Sequence, residues 1–138
     1  MKHTIYLAAR YSRFPEMQGY AQILATHGFE VTARWIKGDH DLRAHGQAEA
    51  DHWMSLWAQE DIEDLVRADI CISFTERTGD IHGRARGGRH AEFGMALILG
   101  KSCYLVGPRE HVFHWMPMVK IYETWDACLG ALVKGITL

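Results

Sequence analysis

The sequence predicts a single α/β domain: five parallel strands in a doubly wound, flavodoxin-like sheet with helices on both faces. Short runs of apolar strand-forming residues alternate along the chain with longer segments whose apolar residues recur at helical spacing. Parallel strands require crossover connections, which such helices supply with right-handed geometry. The chain has 138 residues, 48% of them apolar, which suits one core spanning residues 1–138.

Two strands and a helix are predicted near the start of the chain. TIYLAA, Thr4 to Ala9, and FEVTARWI, Phe29 to Ile36, are rich in strand formers. Between them, residues 14–27 carry apolar side chains at helical spacing, with Pro15 tolerated in the first turn and Gly28 as the stop. The basic segment RYSR after the first strand is a predicted loop.

A polar loop and a long helix follow. Residues 37–46 (KGDHDLRAHG) predict a surface loop of the kind that often closes over ligands. The helix is predicted for residues 47–68. Its expected core stripe is Met54, Ala58, Ile62 and Leu65, with Trp53 and Trp57 beside it and Asp61 one turn beyond Trp57.

The second half of the chain completes the alternation. A glycine- and arginine-rich loop at residues 75–88 leads into a helix that begins at the Gly87-Gly88 pair and contains Glu92. The other predicted segments are strands at 69–74, 102–107 and 119–122, an irregular stretch or one short helix at 108–118, and a closing helix at 123–134.

Charge and cysteine content limit the function classes. A formal net charge of -2 gives no general electrostatic reason to expect a nucleic acid polymer or an acidic membrane as partner. Cys71, Cys103 and Cys128 lie in apolar runs and are odd in number, which is typical of reduced structural thiols and predicts a cytoplasmic protein. The first apolar run is too short for a signal peptide, and no window reaches the length of a membrane span.

Glu92 is the strongest candidate for chemistry. In a doubly wound sheet, ligands bind beyond the carboxyl ends of the strands, and the helix containing Glu92 begins at that edge. The helix N-terminus, with Arg84, Arg86 and Arg89 nearby, is expected to favour an ionised carboxylate that can act as a nucleophile. A capping or first-turn glutamate, which contributes under about 1 kcal/mol, is the equally weighted alternative.

Two loops are candidates for anion binding. Gly87 and Gly88 allow backbone amides to approach an anion at the helix start, although a glycine pair more often marks a tight turn. Arg10, Ser12 and Arg13 give the first loop a similar character, and solvated arginines are the slightly favoured alternative there.

Aromatic and histidine clusters offer further possibilities. Trp53 and Trp57 present a flat surface suited to a nucleobase, yet a tryptophan pair at helical spacing is more often core. Two histidine sets suggest a metal: His40, His45 and His52, and His111 and His114. Neither set has recognisable zinc-ligand spacing, so no metal site is predicted.

Three stretches resemble one known family along most of the chain: TIYLAA, DIEDLVRADICISF and GGRHAEFGMALILGKSCYLVG. The family is the nucleoside 2-deoxyribosyltransferases and their relatives that hydrolyse nucleotide N-glycosidic bonds. The third stretch is the most specific, because a glutamate followed by an apolar residue and glycine, an alanine-containing helix, Gly-Lys and a strand recurs in the family.

The resemblance implies roles for three residues. Glu92 matches the catalytic nucleophile, Tyr6 the first-strand tyrosine that positions it, and Asp61 an aspartate that works near the departing base. The implied mechanism parallels retaining glycoside hydrolysis, in which a carboxylate attacks the anomeric carbon and forms a covalent sugar intermediate. The family also implies that no cofactor is needed, and that the protein is a homodimer or higher homo-oligomer.

One position departs from the family pattern. The transferases have an aspartate six positions before the nucleophile, where this chain has Arg86. Because guanidinium groups match phosphate geometry, this arginine favours a phosphorylated substrate. No counterpart is found for the family's late asparagine. The substrate-binding candidates are Arg10, Ser12, Arg13, Trp57, Arg86, Gly87, Gly88 and Arg89.

The sequence therefore predicts an enzyme that breaks the N-glycosidic bond of a deoxyribonucleoside or its 5'-monophosphate, by transfer to another base or to water. The alternative from another class is a nucleotide-binding or sensing module with Glu92 as a ribose contact. A small α/β protein in which Glu92 caps a helix is the third interpretation.

Overall fold

The computed structural model describes residues 3–40, 46–76 and 87–136. Five strands form one sheet: β1 His3–Ala8, β2 Phe29–Val31, β3 Ile70–Phe74, β4 Ser102–Val106 and β5 Lys120–Tyr122. Four α-helices connect or follow them: α1 Phe14–Thr26, α2 Gln47–Arg67, α3 Gly88–Ile98 and α4 Trp125–Ile136. The predictions for Arg84, Arg86 and His45 lie outside the described residues.

All neighbouring strands are parallel, in the order β2-β1-β3-β4-β5. This order reverses direction between β1 and β3, which confirms the predicted doubly wound, flavodoxin-like sheet. The central strands are apolar on both faces because helices cover both, and Ile5 to Ala8 of β1 are fully buried. The carboxyl ends of β1 and β3 therefore define the crevice in which a ligand is expected.

The helices form two layers. Tyr20 of α1 stacks on Trp125 of α4, with ring centroids 4.2 Å apart, so these two helices share one face of the sheet. Right-handed crossovers place α2 and α3 on the opposite face, where they contact each other. No helix of the described residues has the length and apolar character needed to cross a membrane.

The predicted second strand is too long. β2 ends at Val31, and residues 34–37 form a 3-10 turn instead. Two hydrogen bonds pull the chain away from the sheet edge: the Asp64 carboxylate accepts the Arg34 backbone N–H at 2.8 Å, and the Trp35 indole N–H donates to the Leu7 carbonyl at 2.8 Å. Burial of Trp35 and of the Asp64 carboxylate thus replaces strand pairing.

The predicted core stripe of α2 is largely wrong. Met54 and Ile62 are 44% and 48% exposed, whereas Trp57 and Leu65 are buried. The helix is rotated because the fully buried Asp64 binds Arg34, and this directs Ile62 and Val66 outward. Between β4 and β5, residues 112–115 form a 3-10 turn, in line with the short helix offered as one alternative for that stretch.

Candidate active site

A cavity of about 520 Å³ opens at the carboxyl edge of the sheet, between α2, α3 and the loop after β1. Most of the sequence-predicted site residues line it: Arg10, Ser12, Trp57, Asp61, Gly87, Gly88, Arg89 and Glu92. Its position beyond β1 and β3 is the crevice at which doubly wound sheets bind ligands. We call this cavity the edge pocket.

Glu92 is the fifth residue of α3, two residues beyond the N3 position at which a glutamate completes a capping box. The first turn contains no acidic residue, and the N-cap is Gly87, whose φ of 75° lies in the left-handed region that favours glycine. The capping interpretation of Glu92 is therefore wrong. The carboxylate instead accepts a hydrogen bond from the hydroxyl of Tyr6, a fully buried residue of β1.

The protonation state of Glu92 differs from the sequence expectation. Burial raises the pKa of Glu92 to about 8, because the charged form loses solvation. The expected arginine support is missing within the described residues, where no ion pair reaches Glu92. Arg89, one of the expected partners, turns its Nη2 towards Glu110 at 3.1 Å and Glu76 at 3.3 Å.

Asp61 enters the edge pocket from α2, one turn after Trp57. Burial and the nearby Asp64 and Glu60 carboxylates raise the pKa of Asp61 to about 7. Its Oδ1 atom is buried, with no hydrogen-bond partner among the residues that the structure describes. A carboxyl group in this state can release or take up a proton near neutral pH.

An aromatic column that sequence analysis missed forms one side of the edge pocket. The His40 ring stacks on Trp57 with centroids 4.3 Å apart and interplanar angle 14°, and on Tyr11 at 5.9 Å and 7°. The Tyr11 hydroxyl accepts the His40 backbone N–H at 2.8 Å. Burial lowers the pKa of His40, which favours its neutral ring. Two positions in the sequence could have indicated this column. Tyr11 follows the first strand, and His40 lies in the loop predicted to close over ligands.

Arg13 lies outside the edge pocket, unlike Arg10 and Ser12. It pairs with Glu16 at 2.7 Å and Glu76 at 3.3 Å, and its guanidinium lies 5.4 Å from the centre of the Phe74 ring. It lines a second cavity of about 320 Å³ on the β4 and β5 side of the sheet. The pairing of Arg13 with two carboxylates gives it a structural role.

Three histidines outside the edge pocket, His90, His111 and His114, have ring nitrogens within 4.8 Å of one another. His114 accepts the Glu110 backbone N–H at its Nδ1 atom, at 2.9 Å. Burial lowers the pKa of His114 to about 4, so the neutral ring carries its proton on Nε2. Only His90 and His111 then offer lone pairs, fewer than the three protein ligands of a typical zinc site.

Comparison with known proteins gave one kind of match. No family model matches the sequence, and no curated protein matches it. Among solved structures, the chain is similar to a 2-deoxyribosyltransferase from the psychrotolerant bacterium Bacillus psychrosaccharolyticus. The TM-score is 0.64 and the identity 19%, over 94% of this chain and 95% of that chain. The protein therefore has the fold of a 2-deoxyribosyltransferase.

Proposed function

We propose that this protein cleaves the N-glycosidic bond of a 2'-deoxyribonucleoside or its 5'-monophosphate through a covalent bond between the sugar and Glu92. One observation carries the proposal: the Tyr6-bound carboxylate of Glu92 lines the same cavity as the carboxyl group of Asp61, whose Oδ1 atom has no hydrogen-bond partner among the described residues. Two carboxyl groups of this kind are the usual machinery of retaining glycoside cleavage.

The first half-reaction forms a glycosyl ester. An ionised Glu92 oxygen attacks the anomeric carbon, the bond from that carbon to the base nitrogen breaks, and the sugar passes through an oxocarbenium-like state. Protonated Asp61 donates its proton to the departing base. The Tyr6 hydroxyl keeps the attacking carboxylate in one orientation.

The second half-reaction releases the enzyme. The Asp61 carboxylate takes a proton from an incoming base or water molecule, which attacks the same carbon and displaces Glu92. A second base gives transfer, and water gives hydrolysis. The similar solved structure is described as a 2-deoxyribosyltransferase, which supports transfer as the first activity to test.

The edge pocket suits a nucleoside or nucleotide. The stacked rings of Trp57 and His40 line the cavity and offer an aromatic surface to the base. Arg10, Ser12 and the Gly87-Gly88 backbone line the same cavity at the start of α3, where a 5'-phosphate is favoured. Arg86 would strengthen a preference for monophosphates.

We also propose a cellular compartment and an oligomeric state for this protein. Cys71, Cys103 and Cys128 are buried and unpaired, which supports a reducing cytoplasmic compartment. The outward apolar side chains of α2 support a homodimer or higher homo-oligomer.

A sensing module is the second candidate, favoured by the raised pKa of Glu92. A carboxyl group with a pKa of about 8 is mostly protonated at neutral pH and can donate a hydrogen bond to a sugar hydroxyl. Such a module would bind a nucleotide without breaking it.

The test is chromatographic. Wild type and Glu92→Ala are incubated with the deoxynucleosides and their 5'-monophosphates, with and without a second free base, and free base and exchanged nucleoside are quantified. Base exchange that is lost in Glu92→Ala supports a transferase. Release of free base without base exchange supports a hydrolase. Nucleotide binding without either product would support the sensing module.

A further inference from the structure

Glu110 joins three segments beside the edge pocket. Its Oε2 atom accepts hydrogen bonds from Arg89 Nη2 at 3.1 Å and His90 Nε2 at 2.9 Å. Its Oε1 atom accepts the Glu76 backbone N–H at 3.0 Å. A single carboxylate from the loop after β4 therefore holds the chain leaving β3 and the first turn of α3.

Among the described residues, Glu110 and Glu76 are the acidic side chains that pair with the first turn of α3. It begins at the Gly87-Gly88 pair, and its N-cap makes no side-chain hydrogen bond. Glycines lose the most conformational freedom on folding, and an uncapped first turn frays. Glu110 binds the side chains of the next two residues, Arg89 and His90, and places its negative charge near the positive end of the helix.

Glu110 lies among groups of opposite charge or hydrogen-bonding character. Although burial opposes it, the Glu76 N–H, the Arg89 charge and His90 lower the pKa of Glu110, so the carboxylate is ionised at neutral pH. Arg89 is only 5% exposed, and its Nη2 also lies 3.3 Å from Glu76. Removing the Glu110 charge would weaken the pairing of a buried guanidinium, which is strongly unfavourable.

The position of this anchor connects it to Glu92, two residues after His90 on the same helix. Tyr6 lies on the central strand β1, which is fixed by pairing with β2 and β3. A shift of the start of α3 would therefore change the distance between the Glu92 carboxylate and the Tyr6 hydroxyl. We propose that Glu110 is a positioning residue, which anchors the first turn of α3 and so holds Glu92 against Tyr6; its effect on turnover rests on the function proposed above.

The test is Glu110→Gln. Glutamine has the same size and keeps an oxygen for the Glu76 N–H, but it turns an amide N–H group towards the donors of Arg89 and His90. Because small misplacements of a reacting group are costly, kcat should fall about tenfold to a hundredfold. KM should stay within about threefold, since the loss is in the chemical step.

A second measurement does not depend on turnover. Hydrogen exchange followed by mass spectrometry should show faster exchange in Glu110→Gln for peptides covering residues 87–95, and unchanged exchange in α1 and α4. Glu123→Gln is the matched control, because Glu123 is an exposed glutamate on the loop after β5. It should keep the wild-type kcat and the wild-type exchange pattern.

The outcomes separate the two proposals. Unchanged exchange at residues 87–95 overturns the anchoring role, and faster exchange with kcat within twofold of an active wild type overturns the positioning role. A wild type that turns over no substrate overturns the proposed function, while the exchange result still decides the anchor. If Glu110→Gln does not fold, His90→Ala removes one first-turn contact and should shift exchange and kcat in the same direction by less.

Discussion

The two carboxyl groups of the edge pocket, Glu92 and Asp61, have an unusual order of pKa values. The proposed nucleophile Glu92 has a pKa of about 8, and the proposed acid Asp61 a pKa of about 7. The nucleophile must be ionised while the acid is protonated, so the reactive form is the minor one at every pH. Burial of both groups is the main cause, and it gives the site a distinctive pH dependence.

The pH profile of kcat/KM should be bell-shaped, with its maximum between pH 7 and 8. Activity rises with pH as Glu92 ionises and falls as Asp61 loses its proton, and the two effects balance midway between the two pKa values, at about pH 7.5. Initial rates at low substrate across pH 5–10 measure it. Asp61→Asn should lower the rate and remove the falling limb, whereas a profile that is flat from pH 5 to 9 would refute this assignment.

Glu92→Gln should stabilise the folded protein, and more so at higher pH. Between the ordinary pKa of 4.5 and the folded value of about 8, the folded protein keeps a proton that the unfolded chain releases. The free energy of unfolding of wild type therefore falls as pH rises through this window, and glutamine does not titrate.

The stability comparison uses Tm at pH 5 and pH 8 for wild type, Glu92→Gln and the exposed control Glu123→Gln. The gap between Glu92→Gln and wild type should widen from pH 5 to pH 8, and the control should show no such change. A gap that is the same at both pH values would mean that Glu92 is not a buried, proton-retaining group.

Among the secondary-structure elements, the end of β4 lies in close contact with the chain leaving β3. Gly107 directly follows β4 with φ 119°, and a Cβ atom there would lie 2.5 Å from Thr75 Oγ1 and 2.8 Å from the Thr75 carbonyl oxygen. Thr75 Oγ1 also donates to the Pro108 carbonyl at 2.6 Å. These contacts fix the chain just before Glu110, so Gly107 supports the network around α3.

Gly107→Ala should destabilise the protein by about 1–3 kcal/mol, because it combines backbone strain with a steric clash. Gly130→Ala is the matched control: Gly130 lies inside α4 with open space around it, and alanine there should be neutral or stabilising by up to about 1 kcal/mol. Urea unfolding at pH 7 compares them. Equal stabilities of the two variants would contradict the close approach to Thr75.

The sequence was sufficient for the sheet but not for the ends of its elements. Short apolar runs, which alternate along the chain with helical segments, predicted every strand. A strand that is covered by helices on both faces is apolar along its length, so this signal is local. The early end of β2 depends on the Asp64 contact with Arg34, thirty residues apart in the chain. Two features of the site likewise arise only when distant segments meet. One is the stacking of His40 between Tyr11 and Trp57, and the other is the burial that raises the pKa of Glu92.

The helix layer formed by α2 and α3 carries several exposed apolar side chains. On α2, Ile62 and Val66 are exposed, and at the end of α3 Ile98 and Leu99 are exposed. Because α2 and α3 lie on the same face of the sheet, these side chains suit burial against a second copy of the chain. The edge pocket lies between the same two helices, so association would also restrict their motion.

Ile62→Lys should shift the protein towards the monomer, because a charge would replace an apolar side chain in the buried interface. Light scattering coupled to size-exclusion chromatography measures the mass at several concentrations. Gln22→Lys, an exposed substitution on α1 in the opposite layer, should keep the wild-type mass. A wild type that stays monomeric at high concentration, or an unchanged mass in Ile62→Lys, would rule out this face as the interface.

A covalent bond between Glu92 and the sugar would be visible by mass spectrometry. Wild type is mixed with a 2'-deoxynucleoside or its 5'-monophosphate without acceptor base, quenched in acid within seconds, digested and mapped. We expect a deoxyribosyl or phosphodeoxyribosyl adduct on the peptide that contains Glu92, and none in Glu92→Gln. Release of base with no adduct on that peptide, or with the adduct on another residue, would contradict covalent catalysis by Glu92.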